Sequence, residues 1–138
     1  MSDPSASIEQ LLAAARSGLE RLTPVLAHAA MGDGALLVDI RSEGQRAADG
    51  KIPGARVVQR NVLEWRLDPG CPHRDPELGR HGARIVLLCN EGYQSSLAAA
   101  TVCSFGVAAT DVIDGFQGWR AAGLPVVPPR ARSDAAGR

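Results

Sequence analysis

The chain has 138 residues, 45% of them hydrophobic and 22% charged, which suits one globular domain with a core of its own. Its 15 basic residues cancel its 15 acidic ones, leaving no electrostatic footprint for nucleic acid or an anionic membrane. No apolar run is long enough to span a bilayer and the N-terminus lacks a secretory pattern, so a cytoplasmic location is expected, with neither nucleic acid nor membrane as a partner.

Residues 1–6 are small and polar and are expected to be disordered. Ser7 and Gln10 have capping-box spacing, and Ile8, Leu11, Leu12 and Ala15 then recur at helical spacing until Gly18. Thr23-Pro24 reads as an N-cap with proline at the first helical position, opening a short helix to about Ala30. After the Gly32-Asp33-Gly34 turn, residues 35–40 form a predicted buried strand that contains Asp39. Ile52-Pro53-Gly54-Ala55 is a turn, followed by a predicted strand over 56–58. Asn61 is placed to cap a helix carrying Val62, Leu63, Trp65 and Leu67.

Residues 68–83, rich in proline and glycine, read as a loop of the kind that bears specificity. An apolar strand, Arg84–Leu88, then ends at Cys89, and a glycine-containing loop leads to an alanine-rich helix over 95–105. A further strand is predicted over 111–114 and a helix over 116–122, stopped by Gly123 and Pro125. The tail 128–138 is expected to be mobile, which leaves a single domain over 7–127. Strands alternate with helices, so the expected fold is α/β, a central mainly parallel sheet flanked by helices on both faces.

Cys89 stands where a strand ends and a helix is about to begin, the crevice in which open α/β sheets bind ligands. The unpartnered N–H groups and the dipole of a helix start favour thiolate character in a cysteine so placed. The same pattern also fits a buried cysteine that merely extends the core. The other cysteines, Cys71 and Cys103, form no C-x-x-C pair with it or with each other. Cys103 falls within the predicted helix and is expected in the core. Cys71 is a candidate resolving thiol or an inert surface cysteine. Cys71, His73, His81 and Cys89 match no standard zinc spacing, so no metal and no cofactor are expected. His28 is given no catalytic part.

Four separated segments together resemble one family. Val38-Asp39-Ile40-Arg41 with Glu43 is similar to a signature strand and its exit, and Gly50-Lys51-Ile52-Pro53-Gly54-Ala55 to a G-H-I-P-G-A turn with Lys51 where histidine is usual. Cys89-Asn90-Glu91-Gly92-Tyr93-Gln94-Ser95-Ser96 falls on an active-site loop. Gly115-Phe116-Gln117-Gly118-Trp119 with Ala122-Gly123-Leu124-Pro125-Val126 resembles the closing G-G-x-x-x-W segment, Asp114 standing for its first glycine. In this order and spacing, over residues 36–126, the chain resembles a single-domain rhodanese, a sulfurtransferase module.

The resemblance implies a double displacement at Cys89. Its thiolate takes the sulfane sulfur of thiosulfate or a persulfide, and a thiol, cyanide or protein acceptor discharges the resulting cysteine persulfide. Backbone N–H groups of Asn90, Glu91, Gly92, Tyr93, Gln94 and Ser95 would cradle the sulfur anion, Gly92 taking a positive φ. Ser95 or Ser96 would cap the helix and donate a hydroxyl to sulfur. Many family members carry arginine at the position of Gln94 and often a basic residue at Tyr93, whereas the only charge in this loop is Glu91. Arg41, Arg60 or Arg66 could restore positive potential, and Asp39 is expected to hold loops by hydrogen bonds. The related dual-specificity phosphatases place histidine before the cysteine and arginine within the loop; Leu88 and Ser95 stand there, so phosphatase activity is not expected. A non-catalytic rhodanese-like binding module, with the loop as a vestigial recognition surface, is the alternative.

Overall fold

Buried side chains alternate along the strand that leads to Cys89. Ile85 and Leu87 face one side and Val86 and Leu88 the other, the period-two pattern of a strand covered on both faces. In the computed structural model, which describes residues 6–129, this strand lies inside a four-stranded parallel sheet. The strands are β1 (Leu36–Asp39), β2 (Arg56–Val57), β3 (Arg84–Leu88) and β4 (Ala108–Asp111), in the order β2-β1-β3-β4. The helices are α1 (Ile8–Ser17), α2 (Pro24–Gly32), α3 (Glu43–Asp49), α4 (Leu63–Leu67), α5 (Gln94–Cys103) and α6 (Gly115–Ala121), with a 3-10 turn at Arg60–Val62.

On one face, Leu63 and Leu67 of α4 and Ala98, Ala99 and Val102 of α5 cover Val38, Ile85 and Leu87. On the other, Ala27 and Ala30 of α2 and Phe116 and Trp119 of α6 cover Leu37, Val86 and Leu88. α1 packs outside α5. Register then places the chemistry. Asp111 pairs with Leu87, and paired residues of parallel strands share a face, so Asp111 and Cys89 both point toward α5.

The α/β architecture is as expected, with element ends displaced by a residue or two at α2, β1, β2, α5 and α6. Other expectations are corrected. α3 was not anticipated, because it buries no residue and so shows no apolar periodicity; its signal was the Ser42–Gln45 capping box, with Gln45 N–H donating to Ser42 Oγ at 3.1 Å. The fourth strand is Ala108–Asp111 rather than 111–114. Val112 is its exit, bridged to Leu22, and Asp114 turns left-handed at φ 62° to enter α6. Asn61 caps nothing: it lies within the 3-10 turn, and α4 begins at Leu63 without a side-chain cap.

Cys103 is exposed at the end of α5, with its thiol on the Ala109 carbonyl at 3.2 Å, because the helix ends earlier than predicted. Residues 68–83 hold no helix or strand; Asp68 and Asp75 carboxylates organise their turns and Leu78 anchors them in the core. His28 is exposed and stands edge-on to Trp119, ring centroids 5.5 Å apart. The expected disordered N-terminus and mobile tail lie outside the described residues, apart from Ala6, Pro128 and Pro129. Among the described residues no helix is long and apolar enough to cross a membrane.

β1 ends on a buried ion pair. Arg41 Nη2 lies 2.8 Å from Asp39 Oδ2, both side chains are essentially inaccessible, and the same Nη2 holds the Gly50 carbonyl at 2.9 Å. Breaking such a pair from one side leaves an uncompensated buried charge. Asp39→Ala is therefore expected to lower the unfolding free energy by about 3–5 kcal/mol. Urea titration followed by circular dichroism measures it, and a loss below about 1 kcal/mol, the level of a surface pair, would refute the assignment.

Candidate active site

Cys89 sits just past β3 at the floor of an open cleft, 6% exposed. Its sulfur accepts the Gly92 N–H at 3.1 Å and the Ser95 N–H at 3.4 Å, and its thiol donates to Ser95 Oγ at 3.2 Å. Gly92 makes this wrap with φ 88°, and a Cβ there would stand 2.8 Å from the Asp114 nitrogen. The start of α6 is seated on the other side of the loop. Phe116 N–H donates to the Cys89 carbonyl at 2.9 Å and Gln117 N–H to the Asn90 carbonyl at 3.1 Å. Gln117 Nε2 also donates to Asn90 Oδ1, at 3.1 Å.

Behind the loop lies a polar network that sequence reasoning missed. Ser95 and Ser96 both donate to Asp111 Oδ2, at 2.7 and 2.8 Å, and all three residues are fully buried. Arg21 closes a two-point pair with Asp111, Nε to Oδ1 at 2.9 Å and Nη2 to Oδ2 at 3.2 Å. Arg16 Nε donates to Ser96 Oγ at 3.0 Å. The Gly92 carbonyl accepts from Arg16 Nη2 at 2.7 Å and Arg21 Nη2 at 2.9 Å. The two serines therefore do not cap α5, as was expected: the helix begins at Gln94, with Tyr93 in the cap position, and their hydroxyl hydrogens go to the carboxylate instead of to sulfur. Asp111 could have been suspected as a lone charge in an otherwise uncharged stretch. Arg16 and Arg21 carry no such signal, since 71–90 residues separate them from these partners.

In front, the cleft of about 600 Å³ brings Arg41, Arg46 and Arg60 together with Glu43 and Glu91. Arg41 is committed to Asp39, and its guanidinium stacks 3.9 Å from the Phe116 ring centre. Its Nη1 is the one buried side-chain nitrogen or oxygen without a partner among the described residues. Arg60 is paired with Glu64 at 2.9 Å. Arg66 turns away, donating to the His73 carbonyl, and is not in the cleft wall. Glu91, Tyr93 and Gln94 are exposed at the rim, and Arg16 lies 5.6 Å from the centre of the Tyr93 ring. Cys71 is part-exposed, its sulfur accepting the His73 N–H at 3.4 Å.

Residues 23–122 match the family profile described as the rhodanese-like domain. Among solved structures, the chain is similar to a protein of unknown function from Rhodopseudomonas palustris, described as a possible tyrosine phosphatase, with 32% identity, TM-score 0.80, and coverage of 91% of this chain and 98% of that one. It is also similar to a thiosulfate sulfurtransferase from Pseudomonas aeruginosa, with 26% identity and TM-score 0.62 over 80% of this chain and 20% of that longer one. A rhodanese-related protein from Thermoplasma volcanium, at 18% identity and TM-score 0.63 over 78% and 96% of the two chains, shares the fold. No curated protein matches the chain.

Gly115 tests how tightly α6 and the loop are joined. It has φ 55°, and an added Cβ would stand 2.3 Å from the Cys89 carbonyl oxygen. Gly123, at φ 74°, has nothing within 4 Å of the same added atom. Gly123→Ala is expected to cost only the left-handed backbone strain of about 1–2 kcal/mol. Gly115→Ala should cost roughly 1–3 kcal/mol more through the clash, and should change the rate at which iodoacetamide labels Cys89. Equal urea midpoints and labelling rates for the two variants would show that the loop does not depend on this contact.

Proposed function

The chain belongs to the rhodanese-like domain family, and from that premise we propose that it is a sulfurtransferase carrying sulfane sulfur on Cys89. The observation that carries the reading is the sulfur itself, at the floor of an open cleft with the N–H groups of Gly92 and Ser95 aimed at it. Such a nest of amides stabilises sulfur anions without side-chain charge. The Cys89 thiolate attacks the outer sulfur of the donor. The donor's S–S bond breaks, and sulfite or a thiolate leaves with the bonding electron pair, which yields a Cys89 persulfide. A cyanide or thiol acceptor then attacks that outer sulfur and leaves as thiocyanate or a new persulfide, returning Cys89 to the thiolate.

The cleft favours a persulfide over thiosulfate as donor. Of its three arginines, Arg41 and Arg60 are already paired with carboxylates and Glu91 stands at the rim, which leaves Arg46, held on the Arg41 carbonyl, as the one cleft arginine without a carboxylate partner among the described residues to meet a dianion. A volume of about 600 Å³ also has room for an organic persulfide, which is bulkier than thiosulfate. Likeness to the Pseudomonas aeruginosa enzyme supports a place for thiosulfate as a slower donor. A phosphatase reading draws on the description of the Rhodopseudomonas palustris protein. It lacks a phosphate clamp: the loop has no arginine, and Arg16 and Arg21 bind its Gly92 carbonyl from outside the cleft wall. A non-catalytic binding module would leave the amide-held sulfur without a use.

Intact-protein mass spectrometry after incubation with thiosulfate, and separately with a low-molecular-weight persulfide, tests the reading. One added sulfur atom on Cys89, removed by cyanide or a thiol, is expected with both donors and faster with the persulfide. Cys89→Ser should abolish loading while preserving the fold, and Cys71→Ser and Cys103→Ser should retain most of it. Hydrolysis of p-nitrophenyl phosphate dependent on Cys89 would transfer the assignment to a phosphatase. No adduct and no hydrolysis on reduced, folded protein would transfer it to the binding module.

A further inference from the structure

Ser95 has one hydroxyl hydrogen and two claims on it. A serine can donate once and accept twice, whereas a carboxylate only accepts. In the geometry described, that hydrogen belongs to Asp111 Oδ2 at 2.7 Å, so toward Cys89 the Ser95 oxygen offers only lone pairs, and these accept the S–H at 3.2 Å. The arrangement suits a thiol and opposes an anion. Once sulfur becomes a thiolate or persulfide, the lone pairs of Ser95 Oγ would face negative charge. Rotation about the C–O bond turns the hydrogen to sulfur. Asp111 can release it, because its carboxylate keeps three further donors: the Ser96 hydroxyl at 2.8 Å and Arg21 Nε and Nη2 at 2.9 and 3.2 Å.

We propose that Asp111 and Arg21 are positioning residues which set the direction of the Ser95 hydroxyl: toward Asp111 while Cys89 carries its proton, and toward sulfur when the sulfur is an anion. The inference rests on the reading of Cys89 as the nucleophile. The proton lost from sulfur goes to water in the cleft that Cys89 lines. Asp111 is not its acceptor, being wholly buried and held by Arg21 on both oxygens. Arg21 acts on the hydroxyl through Asp111; its other contact with the loop, the Gly92 carbonyl at 2.9 Å, is shared with Arg16 at 2.7 Å. Without its charge the carboxylate retains only hydroxyl donors, grips the Ser95 hydrogen harder, and leaves the sulfur anion without it. Arg21 lies outside residues 23–122, so the device joins a segment beyond the family match to the family's loop.

Alkylation of Cys89 by iodoacetamide reads this without any sulfur donor, so its result stands apart from that of the sulfur-loading experiment. In a Cys71→Ser/Cys103→Ser background, Ser95→Ala is expected to slow alkylation about tenfold or more, the size of a hydrogen bond to a charged group. The infrared S–H stretch of Cys89 should shift at the same time to its unbonded frequency. A folded Ser95→Ala protein with the parent rate, or with an unmoved S–H band, overturns the proposal. If that variant does not fold, the decision passes to Arg21, whose side chain is 16% exposed. Arg21→Met should slow alkylation severalfold and Arg21→Lys should restore most of the rate. A parent rate in the methionine variant, or no restoration by lysine, overturns the proposal.

Discussion

A buried carboxylate at the end of β4 organises this site. Asp111 is fully enclosed, and an enclosed carboxylate is tolerable only when its oxygens are met by donors. It finds them in two places that chain order keeps far apart: Ser95 and Ser96 in the first turn of α5, and Arg21 ahead of α2. To satisfy one side chain, the register of β4 on β3, the start of α5 and the path of the N-terminal segment must all be correct together. The Cys89 loop is strung between those same elements. Its shape is therefore a consequence of satisfying Asp111 from behind and of seating α6 on the Cys89 and Asn90 carbonyls from the side.

On the proposed reading, this division lets a loop with no cation of its own serve a sulfur anion. Positive charge from Arg16 and Arg21 enters from the back, spent on the Gly92 carbonyl, Ser96 and Asp111. What sulfur meets directly are amides and a hydroxyl. The Gly92 and Ser95 amides, unlike the hydroxyl, are fixed dipoles that need no reorganisation when charge appears, and they act most strongly where water is scarce, as around a residue 6% exposed. Glu91, exposed at the rim, acts across solvent and is screened accordingly.

The layered fold was legible in the sequence because its signals are local. Apolar runs mark β1 and β3, and the Ser7–Gln10 and Thr23–Pro24 caps mark α1 and α2. Cys89 was legible for the same reason, as a thiol at a strand end before a glycine. Local signals failed where tertiary packing replaced them. β4 is Ala-Ala-Thr-Asp, weak in apolar pattern and held by its place beside β3, so the stronger Val112-Ile113 pair drew the prediction three residues too far. The serines of α5 looked like caps because hydroxyls at a helix start usually are; only the position of Asp111 on the neighbouring strand redirects them. Arg41 and Arg60 were legible as nearby cations, but not as cations already bound to Asp39 and Glu64.

Arg16 and Arg21 are the instructive omission. Nothing within several residues of either distinguishes it from a surface arginine on or beside an amphipathic helix. Their meaning arises only when α1 packs on α5 and the chain then crosses to β4, where the Thr110 hydroxyl donates to the Glu20 carbonyl at 2.9 Å and Leu22 pairs with Val112. Those contacts fix the backbone on either side of Arg21 and hold its guanidinium at the carboxylate. On the proposed reading, the segment before residue 23 is thus part of the chemistry: by supplying charge from behind, it leaves the front of the cleft free for the bulk of a donor rather than filling it with loop arginines.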